Sequence, residues 1–417
     1  MSFSEDFKNR VKSSIDIVYL IGRDILLHKK GDSYRGTIRK AGKSGESLVV
    51  TPDKQLWRNT KGKEGGDVFD WIAFKYRLDR DLNFTEIVRI AADVAGIALE
   101  GLSEEDERTV AEEKEVKKVL EEAVNIYQQN LLNDLEIIDE VKNNWNFGIE
   151  DIKEFKIGYA TGHDLNGLDK NLLVKAGLLF LQDGMPAGEF FNKRIIIPYL
   201  KNGEVVYFIG RRTEREKSSS NGNIKPKYVK LQTGTNHPHV SKAVSNQYFY
   251  GEDSIKGADH IIITEGITDA ISAIKTGYPT LSPVTTHLKA DTVPRFVKLA
   301  RDRPIYICLD IDAETKAGQE GAIDTAKELV KEGLDVYIIT LDDQKGKTDY
   351  DLNDFFKEHM KADFDKYIEK APSFPKHILN LAKPKDSESI EKKMKSFCKF
   401  INDDIFYMDA TIMATVC

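Results

Sequence analysis

Three acidic residues stand where divalent-metal chemistry would need them. In IIITEGITDA, Glu265 follows a run of apolar β-formers and precedes a glycine and a helical pattern. In IYICLDIDAETKAGQEGA, Asp310 and Asp312 follow a second such run. Ligands of open α/β sheets bind outside the carboxyl ends of the strands, so these carboxylates are expected to share one crevice. Gathered like charges raise one another's pKa and are costly without a counter-cation. Hard oxygen donors suit Mg²⁺ or Mn²⁺. Asp310 and Asp312 point to one side if the strand stays extended there. Asp269, four residues after Glu265, either shares a helix face with it or caps and orients the loop. The plainer alternative, helix caps and solvated turn acids, suits any one of these residues better than it suits the succession of both patterns.

The elements that must position these acids follow from periodicity. Between 258 and 345, the runs IIIT, IYICLD and VYIITL alternate with helical ITDAISAIKTG and AIDTAKELVKEG, the pattern of a parallel, buried βαβ sheet. Residues 123–255 mix helices with strands such as RIIIPYL and VVYFIGR, and the polar stretch 214–225 reads as a mobile loop. Residues 102–122 are densely charged, a solvated helix or linker. Before them, FKNRVKSSIDIVYLIGRDILL has helical spacing through Phe7, Val11, Ile15, Val18 and Ile21. Short strands follow in SYRGTIRKA, ESLVVT and KQLWRN, with a turn at Thr51-Pro52-Asp53. Asp67 is the expected cap of the helix VFDWIAFKYRL, and LNFTEIVRIAADVAGI is a helix ending at Gly96. Leu48, Val50, Leu56, Trp57, Val68 and Phe69 are the expected core there. The fold class is α/β multidomain: a small α+β unit over 1–101, a linker over 102–122, a mixed α+β subdomain over 123–255, a parallel-sheet domain over 256–355 and a charged helical segment over 356–417.

The chain has 417 residues, 41% hydrophobic and 31% charged, which is enough for several domains. No apolar run is long enough to span a membrane, and the start carries acids without the apolar stretch of a secretory signal. Cys308, Cys398 and Cys417 form no CxxC pair. A disulfide framework and a cysteine-rich zinc site are thereby excluded, and a reducing cytoplasm is expected. The formal net charge of −7 argues against a globally basic nucleic-acid coat but not against a local basic track. Such a track exists. Arg194, Arg211, Arg212, Lys225, Lys227 and Lys230 are interleaved with Tyr207, Phe208 and Tyr228. Cations neutralise phosphates and aromatic rings stack on unpaired bases. Ile195, Ile197 and Phe208 are expected to face the core. Arg194, Arg211, Lys227 and Tyr228 are the expected nucleotide or template contacts, with Arg212 and Lys230 beside them. His237 and His239 flank a proline with no third ligand nearby and read as loop residues.

EGITD followed by CLDID resembles the motif pair of Toprim domains, a glutamate and then a DxD. TDYDLNDFF resembles their third acidic element, with Asp351 the best match and Asp349 and Asp354 as neighbouring alternatives. Upstream, GIEDIKEFKIGYA, FFNKRIIIPYLKNGEVVYFIGRR, KYVKLQTGTNHPHV and YFYGEDSIK resemble, in this order, the core segments of DnaG-type primases. That resemblance implies synthesis of short RNA primers from ribonucleoside triphosphates on a single-stranded DNA template. It implies Mg²⁺ or Mn²⁺ at Glu265, Asp310 and Asp312, with Asp351 as a further ligand. It also implies a replicative helicase as a partner, docked on a tail that here either does this or completes a helical bundle. In SPVTTHL the family's glycine is missing, and Thr285 and Thr286 stand near its place. A Toprim nuclease or nicking enzyme would use the same acids, and a non-catalytic primase-like module contacting DNA or helicase would keep the fold alone.

GDSYRGT, VVTPDKQLW and EGGDVFDWI resemble the CHC2-type zinc-binding template-recognition domain of the same family. Its four ligand positions here read Ile38, Ala41, Asn59 and Gly62, so zinc is not expected. Arg35, Arg39, Lys40, Lys43, Arg58, Lys61 and Lys63 either follow template phosphates or form an ordinary solvated face.

Overall fold

A computed structural model describes residues 3–38, 46–62, 64–76, 78, 80, 83–97, 104–216, 225–256, 258–285, 287–300, 303–308, 311–312, 317–341 and 349–382. The chain divides into two compact units, Met1–Ala111 and Glu112–Cys417. No helix among the described residues is long and apolar enough to cross a membrane.

The first unit is built on an antiparallel sheet of His28–Lys30, Ser33–Gly36, Leu48–Thr51, Leu56–Asn59 and Gly65–Gly66, adjacent in chain order. Leu48, Val50, Trp57, Val68 and Phe69 are buried as expected. Leu56 is not. It is 42% exposed, because alternate strand residues point to opposite faces and its neighbour Trp57 takes the inner one. Trp57 meets Trp71 edge-on with ring centroids 4.9 Å apart. The single N-terminal helical pattern is also corrected: it breaks into Glu5–Ser13 and Ile17–Gly22. The Ser13 and Ser14 hydroxyls donate to the Arg10 carbonyl, and Asp16 accepts the Tyr19 N–H at 2.8 Å to cap a second helix. Asp67 caps Val68–Tyr76, accepting from the Phe69 and Asp70 N–H groups at 2.9 and 3.2 Å. Phe84–Ala95 ends at Gly96, whose φ of 64° is the left-handed cap that glycine adopts freely.

The turns at which the family holds zinc carry no donor here. Ile38 packs against the apolar core of this unit, and Ala41 lies outside the described residues. Asn59 is buried and closes its own turn: Nδ2 donates to Glu64 at 2.7 Å, and Oδ1 accepts the Lys61 N–H at 3.1 Å. Ser47 joins the two turns. Its hydroxyl accepts the Ile38 N–H at 3.0 Å and its carbonyl accepts the Thr60 N–H at 2.7 Å. An isoleucine, an amide and a glycine do not fit zinc, and hydrogen bonds close what a metal would otherwise close. Asn59→Ala is expected to lose about 1–3 kcal/mol, because it removes a hydrogen bond to the Glu64 carboxylate and one from the Lys61 N–H. EDTA is expected to leave the thermal midpoint of the full chain unchanged. Calorimetry with and without the chelator checks both.

Glu104–Leu132 forms one helix that runs past the expected boundary at 122, and from Glu112 onward it belongs to the second unit. Its Val116, Leu120, Ala123, Val124, Tyr127 and Leu131 are buried at helical spacing. They share a core with an antiparallel sheet ordered Tyr228–Lys230, Glu204–Arg212, Arg194–Lys201, Gly158–Ala160. Asn202 and Gly203, with φ of 54° and 78°, make the tight hairpin turn between the two long strands. Ile195, Ile197 and Phe208 are fully buried as expected. Tyr207 joins them, its hydroxyl donating to the Leu231 carbonyl at 2.8 Å, so it is a core residue and not a contact.

The second sheet is wholly parallel, in the order Thr280–Leu281, Ile261–Ile263, Ile305–Cys308, Val336–Ile339. From Ile261–Ile263 the chain goes first to one neighbour and then crosses to the other. The strand order therefore reverses beside Ile261–Ile263, the kind of place where such sheets bind ligands. Ile261 and Ile263 face one core and Ile262 the other. The segment expected as a separate tail begins by completing this sheet. Leu352, Phe355 and Phe364 cover Ile262 and Ile339 on one face, while Phe374 and Ile378 join Ile338 on the other. Residues 383–417 lie outside the described residues.

Candidate active site

Glu265 stands two residues beyond Ile263, on the turn into the helix Ile267–Lys275. Gly266 makes that turn narrow: a Cβ there would lie 2.2 Å from the Asp269 carboxylate. Ser282, at the end of the adjoining strand, donates its hydroxyl to the Glu265 carbonyl at 2.9 Å and so fixes the backbone that carries the acid. Beyond Cys308, Ile311–Asp312 pairs antiparallel with Asp349–Tyr350, which sets Asp312 opposite Asp349. Asp351 follows at once and caps Leu352–Glu358, accepting the Asp354 N–H at 2.7 Å. The DxD segment and the third acidic segment are thus joined by a two-stranded ladder. Asp310 and the Asp312 side chain lie outside the described residues. Among the described residues, no three histidine, cysteine, aspartate or glutamate side chains form a group that could hold a metal ion.

Asp269 is the buried member of this acidic group, and its Oδ1 accepts the Asn353 N–H at 2.9 Å. Burial pushes its carboxyl up to about 8, helped by the negative charges of Asp351 and, less strongly, Glu265. Asp269, Asp351 and Glu265 are therefore within electrostatic reach of one another. The linkage has a definite sign. A raised pKa means that the folded chain binds this proton more tightly than the unfolded one. Stability from Asp269 is complete below its ordinary value of 3.8 and is lost as pH climbs through about 8. Asp269→Asn keeps the acceptor oxygen and removes the charge. In EDTA it is expected to stabilise the chain at pH 8 and to flatten the fall in stability between pH 5 and pH 8, about the range between its two pKa values. Denaturant titrations across that range check this.

The basic strip crosses three neighbouring strands at one end of the antiparallel sheet, where Arg211 lies opposite Tyr228 and Arg212 opposite Arg194. Arg194 is 9% exposed, and its guanidinium donates to the Gly210 and Pro226 carbonyls at 3.4 and 3.2 Å. Burial, and secondarily the Arg212 charge, hold its pKa below the ordinary value. These two carbonyls brace one nitrogen of its guanidinium against the neighbouring strand. Arg212 donates to the Lys225 carbonyl at 2.5 Å. Lys193 and Lys225 both pair with Glu216. Arg211 lies instead against rings, 4.6 Å from the Trp145 centroid and 5.9 Å from that of Tyr228. Lys227 is exposed, 5.8 Å from the same Tyr228 ring. Lys230 is held below its ordinary pKa by burial and then by Lys289, a cation that sequence reading did not select.

Val284 directly precedes Thr285 in the SPVTTHL loop. Its φ of 53° is left-handed, a strained state for a β-branched residue. Its N–H donates to the Ser282 hydroxyl at 3.0 Å, the same hydroxyl that holds Glu265. Thr285 donates to the His287 carbonyl, and Thr286 lies outside the described residues. In the first unit, Arg35 and Arg58 flank Val49 along one row of the sheet. Arg39, Lys40, Lys43 and Lys63 lie outside the described residues.

Two further residues escaped the sequence reading, Trp145 and Asn353. Asn353 is buried, and its side-chain amide donates to the Trp145 carbonyl at 2.8 Å and to the Ser272 hydroxyl at 2.7 Å. With its own N–H on Asp269, it ties the acidic group to the element that carries the Arg211 stack.

Residues 3–107 match the CHC2 zinc finger family and residues 260–362 match the Toprim domain. The DNA primase of Listeria monocytogenes is 26% identical over 373 residues, covering 83% of this chain and 55% of that protein. The DNA primase of Staphylococcus epidermidis is 26% identical over 386 residues, covering 88% and 60%. The chain thus spans a little over half the length of these curated relatives. Among solved structures, the zinc-binding and RNA polymerase domains of Aquifex aeolicus primase align with a TM-score of 0.55 and 23% identity, over 98% of this chain and 94% of that one. The RNA polymerase domain of Mycobacterium tuberculosis primase DnaG, in complex with double-stranded DNA, aligns at 0.57 and 17% identity, over 73% and 95%.

Proposed function

The chain is a relative of the DnaG-type bacterial primases, and from that premise we propose that it synthesises short RNA primers on single-stranded DNA. The reaction is a DNA-directed nucleotidyl transfer from ribonucleoside triphosphates, carried out in the cytoplasm. One observation carries the reading: an acidic strand-end group and an aromatic-backed basic strand lie in one unit and are tied together through Asn353.

Glu265, Asp310 and Asp312, with Asp351, are the residues that would hold Mg²⁺ or Mn²⁺. Their donors are all carboxylate oxygens, which fit a hard cation. Beside them, burial and then the charges of Asp351 and Glu265 hold the Asp269 carboxyl above its ordinary pKa. When bound, the cations polarise the triphosphate and the primer hydroxyl and neutralise the departing pyrophosphate. The remaining work belongs to the chain. Ser282 fixes the Glu265 backbone, and Asp269 and Asn353 set the helix that Asp351 caps. Arg211 and Lys227 take phosphates, and the Tyr228 ring offers a face to an unpaired base. The first unit reads template phosphates through Arg35 and Arg58 without zinc.

The test is to incubate the full chain with single-stranded DNA, the four ribonucleoside triphosphates and Mg²⁺ or Mn²⁺. New oligoribonucleotides complementary to the template are expected. Cleaved template would make the chain a nuclease, and no product with retained DNA binding would make it a non-catalytic module.

A further inference from the structure

Trp145 ends the helix Leu135–Trp145, and Asn146 turns the chain away with a φ of 57°. The indole is buried, with its ring centroid 5.8 Å from that of Phe147. A tryptophan serving only the core needs no cation, yet Arg211 lies 4.6 Å from this ring and 5.9 Å from Tyr228. Among the described residues, no carboxylate pairs with Arg211. Other cations of this unit do have such partners, Lys193 and Lys225 in Glu216 and Lys275 in Asp151. Ring faces hold a guanidinium by its π-face and leave its in-plane N–H groups for an anion. A planar fork held this way matches the geometry of a phosphate. The indole itself is pinned, because Asn353 holds the Trp145 carbonyl at 2.8 Å while binding Asp269 through its own N–H.

We propose that Trp145 is a positioning residue that, with Tyr228, presents the Arg211 guanidinium to a phosphate. This rests on the nucleotidyl-transfer reading for the source of that phosphate, which is either the template backbone or the triphosphate. The ring stack fixes where the fork points, and Asn353 fixes the stack relative to the acids. Arg211 would otherwise sample many rotamers and bind any one phosphate less tightly.

The test is a binding cycle on the full chain with two probes, a fluorescent oligodeoxynucleotide and a fluorescent ribonucleoside triphosphate. Trp145→Leu and Arg211→Gln are each expected to weaken the same probe about tenfold, the size of a partly desolvated cation–π contact. The double variant is expected to be no weaker than Arg211→Gln alone, since both remove one device. Trp145→Phe keeps a ring and is expected to stay within about threefold of wild type. The probe that responds names the source of the phosphate. Should Trp145→Leu fail to fold, Trp145→Met takes its place in the cycle. The proposal is overturned if Trp145→Leu or its substitute binds both probes like wild type, or if the two losses multiply to about a hundredfold. Because the cycle reads binding and not turnover, it tests the Arg211 stack even if the chain makes no primers.

Discussion

Glu265→Gln is expected to abolish the proposed primer synthesis, by about a thousandfold or more, while the chain stays folded. The size follows from what is removed. A positioned charged group stabilising transition-state charge in a water-poor site is worth on the order of 10²–10³ alone, and Glu265 is expected to act through a bound cation as well. The substitution is nearly isosteric. The carbonyl that Ser282 grips at 2.9 Å is unaffected, so the turn keeps its shape. A second readout accompanies the first. Glu265 contributes to the raised pKa of Asp269, so Glu265→Gln is expected to bring that titration slightly lower. Loss of activity with a shifted Asp269 titration and an unchanged circular dichroism spectrum is the expected set. Retained primer synthesis would refute the assignment of Glu265.

Asn353→Ala has the second largest effect, and it is on stability. The side-chain amide satisfies two buried acceptors, the Trp145 carbonyl and the Ser272 hydroxyl. Removing it leaves both without this donor and opens a small cavity, at about 2–4 kcal/mol. Asn353→Asp is expected to be worse above neutral pH, because it adds a carboxylate next to Asp269, which already resists ionisation. Asn353→Ala also loosens the tie between the acids and the Arg211 stack. Denaturant unfolding of both variants at pH 6 and pH 8, with KM for the triphosphate in the folded fraction, checks these outcomes. A variant as stable as wild type at both pH values would show that the amide is not a structural hub.

The acids were legible because strand-end placement follows from apolar runs bounded by a glycine turn, a one-dimensional pattern. Glu265 duly stands just past Ile261–Ile263. The same logic exposed Asp67 and Gly96 as helix ends. Long-range partnership was not legible. Trp145 and Asn353 are 208 positions apart, and no local spacing hints that one amide holds the other's carbonyl. The charge of Arg194 is visible in sequence, whereas the Gly210 and Pro226 carbonyls that hold its guanidinium are not. Leu56 was misjudged for a related reason. Strand registers decide which of two neighbouring apolar residues turns inward, and a one-residue shift exchanges them. The N-terminal break came from Ser13, Ser14 and Asp16, whose side chains compete locally with helix continuation.

Counting Mn²⁺ bound to the full chain by electron paramagnetic resonance, with a ribonucleoside triphosphate present, tests the carboxylate centre most directly. Wild type is expected to bind Mn²⁺ saturably, and Glu265→Gln and the Asp310→Asn/Asp312→Asn double variant are expected to lose that binding while remaining folded. Equal Mn²⁺ occupancy in wild type and in the double variant would contradict the assignment of these acids as the metal-holding group.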